Sequence, residues 1–226
     1  MKVLVACEES QRVCIAFRER GHEAFSCDIQ ECSGGHPEWH IKGDVLPLLD
    51  GNCNFVTQGG ATVFVDGKWD LIIAHPPCTK TSNAGAKHLY RGHKLNIPRY
   101  YEGLCGKALF MAILAADCDK IAVENPTPSR IFDFPQHTQV IQPYEYGYPV
   151  SKKTLLWLKG LPKLQPTCVV DPKETCHEAG TWFMKGGKDR QKNRAKTFSG
   201  IAKAMAEQWG DYLKNPQEIT QKIRLF

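Results

Sequence analysis

No apolar run in this 226-residue chain approaches the roughly 18 residues that a membrane span requires. It also shows no internal repeat and no low-complexity tract. With 42% hydrophobic and 23% charged residues, its composition is that of a globular protein with a real core. A secretory signal is not evident either. The opening MKVLVACEES has an apolar stretch too short, and too soon interrupted by acids, to serve as a signal h-region. The ten cysteines are therefore expected in a reducing cytoplasm, as thiols rather than disulfides. Most of them, Cys14, Cys105 and Cys118 included, read as small hydrophobes. Metal-ligand spacing is missing as well: Cys168, Cys176 and His177 fit no standard zinc pattern, so no metal is expected. The charge excess is mild, a formal +5 from 29 basic and 24 acidic residues, and fits a polyanionic substrate without requiring one. It is unevenly spread. Lys185–Lys196 reads KGGKDRQKNRAK, six basic residues to one acid, either a solvated loop or a phosphate-binding segment.

What is present alternates between strand and helix. KVLVA is a β-branched run that ends in the polar CEESQ. VCIAFRER has helical spacing, with Gly21 as its C-terminal stop. HEAFSCD reads as a second strand ending on Asp28, followed by the loop SGGHPEWHIKGDV with a further acid at Asp44. In WDLIIAHPPC four apolar residues, Leu71 to Ala74, stop at a Pro-Pro pair that must break a sheet. A helix is expected over residues 101–116, then the strand KIAVENP. TLLWLKGLP reads as a strand antiparallel to its neighbour, and SGIAKAMAEQWGDYL as an amphipathic helix. This alternation predicts an α/β fold, a mostly parallel sheet with helices on both faces. Residues 1–159 and 197–226 would form the main domain. Residues 160–196, rich in Pro, Gly, Lys and Thr, would form a small basic appendage.

In such sheets ligands bind beyond the carboxyl ends of the strands. Four strand ends carry functional-looking residues: CEES, SCD, HPPC and VENP. Cys78 follows two prolines on a stiff turn, where a thiol stays accessible and can be activated. Glu124 ends the next strong strand and would project into the same crevice. A thiol nucleophile and a carboxyl donor are what addition to a pyrimidine ring requires. The thiolate adds to C6, the carboxyl protonates or hydrogen-bonds N3, and C5 becomes carbanionic enough to accept a methyl group.

These residues resemble the cytosine-C5 DNA methyltransferases. The family's nucleophile motif is Pro-Cys-Gln followed by a Ser and a Gly; PPCTKTSNAG matches at Cys78, Ser82 and Gly85, with Thr79 in place of Gln. The family's Glu-Asn-Val is matched by Glu124-Asn125 followed by Pro126. EYGYPVSKKTLLWL resembles a family stretch in which basic residues precede a strand, and Lys153 would occupy one of those positions. KTFSGIAKAMAEQW resembles the last family motif, a helix start that folds back on the cofactor. Short versions of this kind resemble those encoded by bacteriophages. Two departures stand out. The family's glycine-rich first motif is here ACEESQRV, and the target-recognition region would be far smaller.

The resemblance implies a Rossmann-like methyltransferase fold, S-adenosyl-L-methionine (SAM) as cofactor, and transfer of its methyl group to C5 of cytosine in DNA through a covalent Cys78–C6 adduct. Cys78, Glu124 and Lys153 would be catalytic. Cys7, Glu8, Ser10, Asp28, Ile29, Asp44, Val45, Pro76, Pro77, Gly200 and Ile201 would contact the cofactor. Ser82, Lys185, Lys188, Arg190, Lys192 and Arg194 would contact nucleic acid, with Trp182 and Phe183 available for stacking or for anchoring the appendage. A cytoplasmic monomer is expected, in host cytoplasm if phage-encoded. Two alternatives stay open: the same C5 chemistry on a free nucleotide or RNA, and an inert relative that binds nucleic acid without turnover.

Overall fold

The computed structural model describes residues 1–172, 174–175 and 196–215. A seven-stranded sheet runs through the chain. Its strands are β1 (Lys2–Ala6), β2 (Glu23–Asp28), β3 (His40–Lys42), β4 (Leu71–Ala74), β5 (Ile121–Asn125), β6 (Gln139–Ile141) and β7 (Thr154–Lys159). Their spatial order is β6-β7-β5-β4-β1-β2-β3. Neighbours from β5 to β3 are parallel, while β7 runs antiparallel to both β5 and β6. Among the described residues the α-helices are α1 (Arg12–Glu19), the single turn α2 (Asn83–Ala86), α3 (Ile97–Ala115) and α4 (Ser199–Lys214).

The pleat explains why the central strands are apolar without interruption. Val3 and Val5 of β1 pack with Val13 and Phe17 of α1 and with Ile201, Met205 and Trp209 of α4. Leu4 and Ala6, on the other face, join Phe110 and Ile113 of α3 and the cluster of Phe55, Val65 and Trp69. A strand covered on both sides has no polar face to show. Fully buried side chains such as Phe17, Ile72 and Ile113 each contribute about 1.5–3 kcal/mol by leaving water. The expected antiparallel last strand is present, pairing Leu156 with Glu124 and Trp157 with Val123. Gly21 adopts φ +77° just beyond α1, the left-handed conformation that ends helices on glycine.

Three features differ from the sequence reading. The loop after Asp28 contains β3, a three-residue strand whose existence depends on pairing with β2. β6 is equally short and equally dependent on β7. α3 begins at Ile97 rather than at residue 101, because Asn96 caps it and Pro98 is tolerated in a first turn that needs no N–H. Residues 161–165 lie against the main body: Trp209 Nε1 donates to Pro162 O (3.1 Å), and Gln165 and Gln208 exchange hydrogen bonds of 2.7 and 2.8 Å. Among the described residues no helix is long and apolar enough to cross a membrane.

β1 leads through α1 to β2 on one side, and β4 leads through α3 to β5 on the other. The strand order therefore reverses between β1 and β4, the position at whose carboxyl edge sheets of this kind bind their ligands.

Candidate active site at the carboxyl edge of the sheet

His75 extends β4 by one residue, its N–H donating to Ala6 O at 3.0 Å. Pro76 and Pro77 have no N–H to continue the ladder, and the chain leaves the sheet with Cys78 half-buried. The Cys78 carbonyl accepts from Thr81 N (3.2 Å) and Ser82 N (2.9 Å), which folds the loop back. Ser82 then caps α2, its Oγ accepting from Gly85 N at 3.3 Å. Arg99, from the first turn of α3, donates to Thr79 O and Gly85 O, both at 3.1 Å. A β-carbon on Gly85 would stand 2.1 Å from Thr79 O, so only glycine lets α2 approach the Cys78 loop this closely.

That loop is joined to the exit of β5. Asn83 N donates to Thr127 O (2.9 Å) and Ser129 N to Thr81 O (2.7 Å). Glu124 lies on β5 with its side chain 20% exposed, and its Oε2 pairs with Nδ1 of the 8%-exposed His75 at 3.0 Å. Burial by itself would raise the Glu124 carboxyl; the hydrogen bond and charge of His75, with the charge of Lys152, hold it below the usual carboxylate range. Burial would lower the His75 imidazole. The hydrogen bond and charge of Glu124, with the charge of Glu8, overcome that and the opposing charge of Lys152, and raise it. Glu8, His75, Glu124 and Lys152 thus alternate in sign along the ends of β1, β4 and β5 and the start of β7.

The turn after β1 does without glycine. Cys7 (φ +58°) and Gln11 (φ +57°) both take the left-handed conformation themselves. Gln11 is held there by Nε2 to His36 O (2.8 Å) and by His36 N to its Oε1 (3.1 Å). Glu8 is buried and caps α1, Oε1 accepting from Val13 N (2.7 Å) and Oε2 from Cys14 N (3.2 Å). Burial raises its carboxyl, against the charge of His75 and those two amides. Ser10 is buried.

Asp28 ends β2, half-buried, with Oδ1 accepting from Gln30 N at 2.9 Å, and burial raises its carboxyl. Ile29 beside it is 77% exposed. Asp44 is exposed and turns the chain by accepting from Leu46 N. Burial, then the charges of Asp28 and Asp44, push the Cys7 thiol up to about 12, which brings three of the expected cofactor residues into one electrostatic neighbourhood. Val45 and Ile201 instead belong to the cores on opposite faces of the sheet. Gly200 opens α4 where a β-carbon would stand 2.0 Å from Tyr146 O. Pro76 is buried and Pro77 exposed.

Among the described residues none of the nine cysteines forms a disulfide. Burial pushes Cys27 to about 12 and raises Cys14, Cys53 and Cys118, which leaves these as inert thiols at neutral pH. No group of side chains suited to a metal ion occurs among the described residues.

Sequence reasoning chose Lys153, which is exposed; the cation whose charge acts on Glu124 and His75 is its neighbour Lys152. It passed over His75 altogether. It also passed over the stretch between Lys80 and Glu102, which holds no acid. There a two-stranded ribbon, Tyr90–Arg91 with Lys94–Leu95, follows the Cys78 loop and α2, and Lys87, His88, Tyr90, Arg91, His93 and Lys94 are exposed on it and just before it. The absence of Asp and Glu over twenty residues was the available signal. Lys185, Lys188, Arg190, Lys192 and Arg194, like Cys176, His177, Trp182 and Phe183, lie outside the described residues. No protein-family model matches the chain, and no curated protein matches it either.

Proposed function

We propose that this chain is a SAM-dependent methyltransferase, of Rossmann-like methyltransferase fold, acting on C5 of cytosine in DNA with Cys78 as covalent nucleophile. The observation that carries this reading is the coupling of the Cys78 loop to the Glu124 strand end. Backbone hydrogen bonds join Thr81 and Asn83 to Thr127 and Ser129, and His75, three residues before Cys78, holds the Glu124 carboxylate. Cys78 would form the bond to ring C6, and Glu124 would hold the proton that N3 takes up as the electron pair moves toward C5.

The charges at this edge of the sheet support one kind of cofactor over another. A dinucleotide would need helix N-terminal amides for its pyrophosphate. Here Glu8 holds the amides of Val13 and Cys14, and Asp28 and Asp44 add negative charge nearby. A cationic ligand is favoured over a polyphosphate, and SAM supplies a sulfonium-bound electrophilic methyl group. Asp28 would bind the ribose hydroxyls through its carboxylate, with the exposed Ile29 beside the adenine. DNA as substrate is supported by the acid-free basic ribbon adjoining the nucleophile loop, where Lys87, Arg91 and Lys94 can meet phosphates and Tyr90 a base. The target cytosine would leave the stack to reach Cys78, at a cost of a few kcal/mol.

Incubation with radiolabelled SAM and mixed DNA, followed by digestion to nucleosides, tests the reading. Labelled 5-methyl-deoxycytidine from wild type and none from Cys78→Ser is the expected result. Product that survives Cys78→Ser would remove the covalent mechanism. Bound SAM with unlabelled DNA would move the substrate to a nucleotide or RNA. The inert alternative draws on the occupied amides at the start of α1, and absence of SAM binding by calorimetry would favour it.

A further inference from the structure

The proposed chemistry asks Glu124 to deliver a proton, yet its pairing with His75 favours the ionised form of its carboxyl. Oε2 accepts from His75 Nδ1 at 3.0 Å, and the charge of Lys152 favours the ionised form. The group placed to hand the ionised form a proton is His75, whose Nδ1 is in hydrogen-bond contact with Oε2.

We propose that His75 is the proton source and positioning residue for Glu124, so that the acid of the reaction is a His75–Glu124 dyad rather than the glutamate alone. This rests on the cytosine-C5 reading. As the Cys78 thiolate forms its bond to C6, the C5=C6 pair shifts to C4=C5 and the C4=N3 pair moves onto N3. N3 takes a proton from Glu124, and the Nδ1–H bond of His75 breaks as its proton passes to Glu124 Oε2. The ring loses no electrons, the glutamate ends as it began, and His75 is left neutral with its proton on Nε2. Once C5 has taken the methyl group and the N3 pair has re-formed C4=N3, the C5 proton passes to a solvent water as the Cys78–C6 bond breaks to release the thiolate, and return of the N3 proton by the same route restores the dyad.

The surroundings of His75 suit that cycle. Its side chain is 8% exposed, so solvent does not replace the proton during the step. Glu8, from the turn between β1 and α1, faces it with a negative charge; Glu124 on β5 does the same, and Lys152, ahead of β7, opposes both. His75 Nε2 is buried and has no hydrogen-bond partner among the described residues. The proton that leaves is the one on Nδ1, directed at Glu124; Nε2 keeps its own, and an unsatisfied buried donor there costs less on the neutral ring than on an imidazolium. His75 is also the last residue in register with β1, through its N–H to Ala6 O, so the backbone beneath the dyad is rigid.

Two measurements decide the matter. Nitrogen-detected NMR of the imidazoles, with His75 assigned by comparison with His75→Gln, should show His75 titrating above the ordinary histidine value in wild type. In Glu124→Gln that titration should move down. Single-turnover methylation against pH should show a descending limb in wild type at the pH where His75 loses its proton. His75→Gln, which keeps a hydrogen-bond donor for Glu124 but no transferable proton, should lose that limb and react about 10²- to 10⁴-fold more slowly at neutral pH. A methylating His75→Gln with the wild-type pH profile overturns the dyad, and so does a His75 titration unaffected by Glu124→Gln. Failure of the cytosine-C5 reading looks different: wild type yields no 5-methylcytosine at any pH while the His75 titration behaves as described.

Discussion

At the scale of single residues, the site is a balance between burial and pairing. Glu124 and His75 would each lose their charge if buried alone, and each keeps it because of the other. The pair therefore contributes to stability in a definite pH window. The lowered Glu124 carboxyl stabilises the fold above the unfolded glutamate value of about 4.3, a contribution lost as pH falls through its folded value. The raised His75 stabilises it below the unfolded value of about 6.5, a contribution lost as pH rises through its folded value. Glu124→Gln should thus be destabilised most, by about 1–3 kcal/mol, between those limits, with the gap to wild type closing toward both acid and alkali. Thermal unfolding across pH measures this, and a gap independent of pH would remove the ion-pair account. Cys78 and Glu124 were legible in the sequence because proline and asparagine punctuate the strand ends that carry them. His75 was not, since a histidine after a strand shows nothing of its partner 49 positions away. Lys152 and Lys153 are adjacent and chemically identical, and only the path of the chain into β7 separates them.

At the scale of elements, the Cys78 loop is held by backbone contacts that tolerate no added volume. A β-carbon at Gly85 would stand 2.1 Å from Thr79 O and 3.4 Å from Arg99 Nη2, and the nearer atom belongs to the main chain. Gly85→Ala should therefore displace α2 from the loop, costing about 1–3 kcal/mol of stability. If the chain methylates cytosine as proposed, the same change should slow single-turnover methylation by about 10²-fold, because the adjoining Cys78 shifts relative to Glu124. Denaturant unfolding and rapid-quench kinetics on the same variant check both; full activity would show that the loop is held in place by something other than this close approach. The first turn of α1 illustrates the same economy. Glu8 satisfies two amides that a glycine-rich loop would leave open, and Cys7 and Gln11 take the left-handed conformation at about 1–2 kcal/mol each. The sequence shows the missing glycines but not what replaces them, because a glutamate cap five and six residues before its donors lies outside the usual capping spacing.

At the scale of the whole molecule, the parallel order of β5, β4, β1 and β2 delivers Glu124, Cys78, Glu8 and Asp28 to one edge. The ribbon after α2 sets a basic, acid-free surface beside it. If that surface meets phosphates, binding to a DNA duplex should weaken with salt, log K falling by about 0.9 per neutralised phosphate for each tenfold rise in salt. Replacing Lys87, Arg91 or Lys94 by glutamine should each reduce the slope by about one, since one phosphate fewer is then neutralised. Fluorescence titrations at several salt concentrations test this, and slopes unchanged in all three variants would place the phosphates elsewhere.

The sequence by itself determined the alternation of strands and helices, the two-sided burial of β1, β4 and β5, and the strand ends where chemistry-bearing residues sit. Each of these is written locally, in runs of apolar residues and the prolines, glycines and polar residues that stop them. Only the tertiary structure decided the rest. The edge strands β3 and β6 are too short to carry a period and exist through their neighbours. The pairing of His75 with Glu124, the capping of α1 by Glu8, and the approach of Lys152 depend on which strands lie side by side, and strand order comes from packing the whole chain, not from any segment of it.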